Sequence, residues 1–160
     1  MKRFIFTFLI LITLSCFNGL KAQSEFGIKG GGNLTFFNVK EGFFGSNQEV
    51  ELGYYAGCFV DFEIENSFNL QTELLFIGLG DFKFLNAPIY LKYNFDKHFS
   101  ILVGPSINYF FDFLSTNLKV RADLAFAYNL TSKLDLHMKY TIGFEEISPN
   151  GLFLGLGYKL

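Results

Sequence analysis

The chain has 160 residues, which is enough for one domain of ordinary size and too few for two. Half of the residues are hydrophobic and 19% are aromatic, yet beyond residue 22 no apolar run approaches the roughly 20 residues of a membrane-spanning helix. The formal net charge is −2 and no basic cluster is present, which argues against a nucleic-acid-binding protein.

The first segment, 1–22, has the three parts of a secretory signal peptide. A positively charged start precedes an apolar core, and the small residue Ala22 closes a cleavage site. We therefore expect a signal peptide over 1–22 and a single domain over 23–160. The alternative is a lipoprotein leader in which Cys16 would be the lipid acceptor.

Beyond the leader, apolar and polar residues alternate with a period of two. Successive side chains of a strand point to opposite faces, so this pattern predicts strands that each have one apolar face. The predicted strands, in chain order, are 24–36, 52–64, 68–78, 84–95, 99–110, 118–130, 134–144 and 152–160. Each has roughly the 9–11 residues that a tilted strand needs to cross a bilayer, or slightly more.

The predicted connections alternate in length. Those after even-numbered strands are short and polar, at 65–67, 96–98 and 131–133. Those after odd-numbered strands are longer, at 38–51, 79–83, 112–117 and 145–151. This alternation is typical of outer-membrane barrels, in which short turns face the periplasm and longer loops face the exterior.

The sizes of the side chains indicate which face points inward. Eight strands enclose an interior that side chains largely fill. Bulky residues such as Ile89 and Leu91 lie on the apolar phase, whereas the polar phase is rich in glycines such as Gly104 and Gly155. We therefore predict an all-β, eight-stranded antiparallel up-and-down transmembrane β-barrel with its apolar phase outside. Aromatic residues near the strand ends, Tyr128 among them, would form girdles.

Short segments along the predicted domain match a known pattern. They are Phe-Gly-Ile-Lys-Gly-Gly at 26–31, Leu-Gln-Thr-Glu-Leu-Leu at 70–75, Ala-Pro-Ile-Tyr-Leu-Lys-Tyr at 87–93, Gly-Pro at 104–105 and Gly-Leu-Gly-Tyr-Lys-Leu at 155–160. With these segments the chain resembles the PorT-like outer-membrane β-barrel family. The resemblance implies the barrel architecture and no shared catalytic residues. It also implies a C-terminal signal for the barrel-insertion machinery, although this chain ends in Leu160 where the family often has Phe.

Charged residues on the predicted inward phase form the candidate site. They are Lys29, Asp61, Glu63, Glu73, Lys92, Arg121, Asp123, Asp135, His137 and Lys139. Because a lone charge in a narrow interior is costly, we expect these residues to pair. The expected pairs are Glu73 with Lys92, and Arg121 and Asp123 with Asp135 and Lys139. Such a salt-bridged plug would fill the lumen; a proton or small-ion path through the same residues is the alternative.

No pattern of catalytic or ligand-binding residues fits this architecture. Asp135 and His137 share one strand face, like the orienting half of a catalytic triad, but they lie near the short turns rather than the outer rim. Gly30-Gly31-Gly32 lacks the lysine and following helix of a phosphate-binding loop. We therefore predict no enzymatic activity, no metal and no cofactor.

The predicted function is that of a structural or surface-interaction protein of the cell envelope, located in the cell outer membrane. The expected partners are outer-membrane lipid, the barrel-insertion machinery, and an extracellular partner at the loop 38–51, which holds Phe43 and Phe44. We expect a monomer and no nucleic acid. Two alternatives are a narrow transport or secretion-associated barrel and a soluble periplasmic lipocalin-like binder.

Overall fold

The computed structural model describes residues 24–40, 46–80, 82–111, 118–144 and 150–160, with only the backbone at 37–40 and 46–49. The predicted signal peptide lies outside these ranges. The strands are β1 (Ser24–Lys40), β2 (Ser46–Glu65), β3 (Phe68–Leu79), β4 (Phe82–Asn94), β5 (Phe99–Phe110), β6 (Leu118–Asn129), β7 (Leu134–Gly143) and β8 (Asn150–Lys159). Among these residues, no helix is both long and apolar enough to span a membrane.

The sheet closes on itself. Each strand is antiparallel to its neighbours in sequence, and β1 also pairs with β8 from Gly27 opposite Lys159 to Phe36 opposite Asn150. The terminal residue joins this seam, because the Leu160 amide donates to the carbonyl oxygen of Phe26. Closure leaves the described barrel without an open edge and confirms the predicted eight-stranded antiparallel barrel.

The outer surface of the barrel is apolar, as the alternation predicts. Large hydrophobic side chains remain about half exposed along every strand; examples are Ile28, Leu74, Ile89, Val103, Val120, Met138 and Leu156. Soluble proteins rarely expose so continuous an apolar area. The arrangement is the reverse of a soluble ligand-binding barrel, whose apolar face lines the interior.

Aromatic side chains gather near both ends of the barrel. We call the end with the connections 66–67, 95–98 and 130–133 the turn end. There the ring centroid of Tyr93 lies 4.9 Å from that of Phe68 and 4.9 Å from that of Phe95. At the opposite end, which we call the loop end, Tyr109 and Phe111 lie 5.6 Å apart. Rings at these levels match the predicted girdles.

The predicted loop 38–51 is wrong in its bounds. β1 and β2 stay paired as far as Lys40 opposite Ser46, whereas β8 pairs with β1 only up to Phe36. β3 in turn pairs with β2 only from Gly53 onward. The described parts of 37–52 therefore form a two-stranded ribbon beyond the barrel, while Phe43 and Phe44 lie outside the described residues. The ribbon is polar in both phases at Asn47-Gln48-Glu49, so the alternation that marks the other strands is lost there.

The predicted longer loop at 79–83 is a tight turn instead. β3 ends at Leu79 and β4 begins at Phe82, so this connection is as short as that between β2 and β3. Gly80 has a φ of 54°, a left-handed conformation that glycine adopts without steric cost and that two-residue hairpin turns require. Loop length therefore does not alternate strictly along this barrel.

The close approach of β4 and β5 at Gly104 gives a first test of the packing. A Cβ added there would meet the carbonyl oxygen of Ile89 and lie 3.1 Å from the Tyr90 Cα. We expect Gly104→Ala to lower the free energy of unfolding by about 1–3 kcal/mol through overpacking. Urea titration of the barrel in phospholipid vesicles would measure this loss. Gly32→Ala is the matched control, because the nearest atom there is 3.7 Å away. Equal stability of both variants would contradict the packing.

Candidate functional site

The structure places all but one of the predicted site residues inside the lumen. The buried ones are Lys29, Asp61, Glu73, Lys92, Arg121, Asp123, Asp135, His137 and Lys139. Glu63 is the exception: it is exposed near the end of β2, at the last regular pair with β3 before a register irregularity between Glu63 and Glu65. The prediction that Glu63 joins the buried charge network is therefore wrong.

The predicted pairing of Glu73 with Lys92 is also wrong, because each residue has another partner. Lys29 on β1 donates to Glu73 on β3, with 2.6 Å between Nζ and Oε1, and Gln71 donates to the same oxygen. Lys92 on β4 donates to Asp61 on β2, also at 2.6 Å. Both pairs reach past the strand that lies between them, since a long lysine side chain can span a narrow lumen.

Asp123 is the centre of a second group of polar contacts. Its carboxylate accepts hydrogen bonds from the hydroxyls of Tyr90 and Ser106, and the Lys139 ammonium lies 3.7 Å away. Lys139 also donates to the side-chain oxygen of Asn86 across the lumen. The contact between Asp123 and Lys139 falls within the predicted group of four.

Arg121 does not pair with Asp135. Its guanidinium carbon lies 5.3 Å from the ring centroid of Phe110 and 5.8 Å from that of Phe84, a cation–π arrangement. Arg121 thus lies near the loop end, while Asp135 begins β7 at the turn end. The two residues face the same interior but are separated along it.

Asp135, His137 and Tyr55 form a buried chain of hydrogen bonds. His137 Nδ1 lies 3.1 Å from Asp135 Oδ1, and His137 Nε2 lies 2.7 Å from the Tyr55 hydroxyl on β2. Gly155 and Gly157 on β8 leave room for this chain, because a Cβ at either position would meet the Tyr55 hydroxyl or the Asp135 carboxylate. Aspartate can orient a histidine in this way, but here the row of hydrogen bonds ends at the Tyr55 hydroxyl inside a filled interior.

The alternation of the sequence does not reveal the apolar part of the lumen. Tyr55, Leu75, Ile77, Phe84, Phe110 and Phe153 pack together as buried residues. In β3 both phases are apolar from Leu74 to Leu79, so the alternation that marks the inward face disappears there. The lumen therefore holds an apolar cluster as well as the predicted charges.

Little free space remains in the middle of the barrel. The central cavity between Tyr55, Glu73, Tyr90 and Lys139 has a volume of about 10 Å³, comparable to one water molecule. At the turn end a polar depression of about 420 Å³ opens outward, lined by Asn69, Lys92, Asn94, Lys97, Asn129, Lys159 and their neighbours. The depression does not continue through the lumen, because the paired side chains fill it.

Asp96 shapes the turn beside that depression. Its Oδ1 accepts hydrogen bonds from the amides of His98 and Phe99, each at 2.7 Å. The Phe99 and His98 amides favour the charged form and lower the pKa of Asp96 below its ordinary value. A lowered folded-state pKa means that this contribution to stability is present above the ordinary aspartate pKa and lost as the pH falls through the folded value.

The fold is that of small outer-membrane barrels. The chain is similar to the outer membrane protein Ail of Yersinia pestis in phospholipid bilayer nanodiscs, with a TM-score of 0.56, 14% identity, and coverage of 86% of this chain and 100% of that one. Neisserial surface protein A, NspA, gives a TM-score of 0.53 and 15% identity over 84% and 96% of the two chains. The outer membrane protein OprG of Pseudomonas aeruginosa gives a TM-score of 0.51 and 14% identity over 88% of this chain and 98% of that one.

No protein-family profile and no curated protein matches the sequence. The chain spans nearly the whole length of each structural neighbour, so the entire barrel is shared rather than a part of it. At these identities the likeness concerns the fold, and it does not extend to what any of these proteins binds.

The ion pair of Lys29 and Glu73 can be tested by a double-mutant cycle. We expect Lys29→Met to lower the free energy of unfolding by about 3–5 kcal/mol, because a carboxylate is left unpaired in the interior. The double variant Lys29→Met/Glu73→Leu should recover much of this loss. Urea titration in phospholipid vesicles measures each variant.

The control for this cycle is Lys159→Met. Lys159 also contacts a carboxylate at 2.6 Å, that of Glu25, but this pair is partly exposed at the turn end. Its loss should cost no more than about 1 kcal/mol. Equal losses for Lys29→Met and Lys159→Met would show that burial does not determine the strength of the inner pair.

Proposed function

We propose that this chain is an outer-membrane β-barrel with a plugged lumen that serves as a structural or surface-interaction component of the cell envelope. The observation that carries this proposal is the combination of an exposed apolar belt with an interior filled by ion pairs. The finer resemblance to PorT-like proteins belongs to the same proposal and rests on the short sequence segments alone. We propose no enzymatic activity.

The outer surface supports the membrane location. A closed sheet satisfies its backbone hydrogen bonds internally, so it can lie in lipid without exposing unpaired groups. Its outward side chains are apolar between two levels of aromatic rings, as in barrels that cross an outer membrane. On this proposal the signal peptide 1–22 directs export, and the barrel-insertion machinery places the monomer in the membrane.

The interior supports a structural role over transport. The ion pairs Lys29–Glu73 and Lys92–Asp61 lie across the lumen, and Tyr55 and Tyr90 flank a central cavity of about 10 Å³. A hydrated ion could not pass without displacing these side chains. A filled lumen stabilises a small barrel instead of conducting.

The ribbon supports a role in surface interaction. β1 and β2 continue past the pairing limits of β8 and β3 at the loop end. Val50 and Leu52 on the ribbon are exposed, the latter to 74%. In the proposed orientation this end faces outward, so the ribbon is the element most available to an extracellular partner.

Cell fractionation and heat-modifiability test the proposed location. We expect the expressed chain in the outer-membrane fraction, where the unboiled protein migrates faster on an SDS gel than the boiled protein because the closed barrel stays folded. Gly104→Ala would shift part of the population to the slower form. Recovery in the soluble fraction without a heat-dependent shift would contradict the proposal and favour a soluble binder.

Conductance in planar bilayers tests the plugged lumen. The purified barrel should give no resolvable ion steps, since its interior is filled. Tyr55→Ala/Tyr90→Ala removes both rings beside the central cavity and should allow steps to appear. The matched control is Tyr109→Ala, because Tyr109 points outward and its loss leaves the lumen unchanged. Steps in the unmodified barrel would favour the narrow transport alternative.

A further inference from the structure

The depression at the turn end has room for a small ligand. Its volume of about 420 Å³ contrasts with about 10 Å³ for the central cavity. Binding sites for small molecules have volumes of roughly 300–1,000 Å³. The depression opens outward and is lined in part by the turns after β2 and β4, so a molecule can enter it without displacing the side chains that fill the lumen.

A row of hydrogen bonds holds the inner wall of the depression in place. Lys92 donates to one oxygen of Asp61 at 2.6 Å, and Asn69 donates to the other oxygen at 2.7 Å. Asn94 donates to the side-chain oxygen of Asn69 at 3.0 Å and accepts from the Ser100 hydroxyl at 2.8 Å. These side chains are therefore positioned before a ligand arrives, which lowers the entropy cost of binding.

The same wall keeps hydrogen-bonding capacity for a ligand. An ammonium group has three N–H donors, and a side-chain amide has two donors and an oxygen with two lone pairs. The contacts described above use only part of this capacity in Lys92, Asn69 and Asn94. Asn129 donates to the backbone oxygen of Lys97 at 3.0 Å, which leaves its side-chain oxygen as an acceptor. The wall thus presents both donors and acceptors to the depression.

Lys97 places a positive charge at the rim of the depression. Its side chain is exposed and forms no ion pair with the part of the chain that the structure describes. The two other lysines of the lining already have carboxylate partners at 2.6 Å, in the pairs Lys92–Asp61 and Lys159–Glu25. Asp96 also lines the depression, but one of its oxygens accepts from backbone amides of its own turn. Lys97 is therefore the cation that is available to a negative charge on a ligand.

The polar lining favours a hydrophilic ligand. Pockets for drug-sized molecules are lined mostly by hydrophobic side chains, whereas amide and ammonium groups form most of this lining and Phe95 adds a ring at the rim. A sugar carries several hydroxyls, and each hydroxyl both donates and accepts, as this wall requires. A carboxylate on the sugar provides the single negative charge that matches Lys97.

We propose that the depression at the turn end binds a sugar that carries one carboxylate. Lys97 binds the carboxylate, while Asn129 and the wall of Asn69, Lys92 and Asn94 bind the hydroxyls. In the orientation proposed above this end faces the periplasm, opposite to the ribbon. The site itself rests on the contacts of the barrel, so it does not depend on the proposed role at the cell surface.

Calorimetric titration of the full chain in non-ionic detergent with sodium glucuronate tests this site. We expect saturable binding to one site per chain, at ionic strength held constant with sodium chloride. Glucose lacks the carboxylate and acetate lacks the sugar, so each should bind about tenfold more weakly or less, because each loses hydrogen bonds to charged groups. Absence of saturable glucuronate binding, or equally tight binding of glucose or acetate, would overturn the proposal.

Lys97→Gln tests the contact at the rim. Its side chain is exposed and its contact with Asn129 is made by the backbone, so we expect a folded variant that binds glucuronate about tenfold more weakly. Lys133→Gln is the matched control: it removes the same charge at the same end of the barrel, but Lys133 lies over the ring of Tyr158 and outside the depression. Equal weakening by both variants would indicate general electrostatic attraction and would overturn the proposal.

Asn129→Ala provides an independent variant on the wall of the depression. It removes the acceptor for a sugar hydroxyl and keeps the charge of Lys97, so it should weaken glucuronate binding several-fold and leave acetate binding unchanged. The faster gel migration of the unboiled barrel reports whether each variant is folded. Glucuronate binding that is unchanged in a folded Lys97→Gln, or in a folded Asn129→Ala, would also overturn the proposal.

Discussion

Closure of the sheet between β1 and β8 gives a lumen so narrow that the side chains inside it must satisfy one another. Lys29 on β1 reaches Glu73 on β3, and Tyr55 on β2 reaches His137 on β7. Water cannot replace these partners, since the central cavity is about the size of one molecule. Each buried lysine–carboxylate pair therefore joins two strands, and the position of each of these strands is set in part by the charge on the other.

The interior is divided along its axis. Charged and amide side chains line the open depression at the turn end. Phe84, Phe110 and Phe153 belong to an apolar cluster nearer the loop end. Ion pairs fill the polar region near the turn end, and aromatic packing fills the second, apolar region near the loop end. The buried guanidinium of Arg121 lies against Phe84 and Phe110 in the second region. The filled lumen thus results from ion pairing in one region and from aromatic packing in the other.

The strands and their facing could be predicted because alternation survives wherever one face is apolar and the other polar. It fails at Asn47-Gln48-Glu49 in the ribbon, where consecutive residues are polar, and in β3 between Leu74 and Leu79, where residues on both faces are apolar. The sequence predicts which face a residue occupies but not how far its side chain reaches, so it pairs Glu73 with Lys92, whereas the structure pairs it with Lys29. Glu63 is exposed near the end of β2, and alternation cannot show how far along a strand the buried interior extends. The tight turn at Gly80 did have a local signal, a glycine followed by an aspartate between two strands.

The seam between the first and last strands has a consequence for folding. It joins Gly27 to Lys159, nearly opposite ends of the described chain, while the other pairings connect neighbours in sequence. Contacts between distant residues carry the largest loop-closure entropy, so they form slowly and late. Until β8 arrives, β1 would present an unpaired edge able to accept a strand from another chain. The rate of closing this one seam, more than the formation of the hairpins, would then set how long the chain is exposed to aggregation.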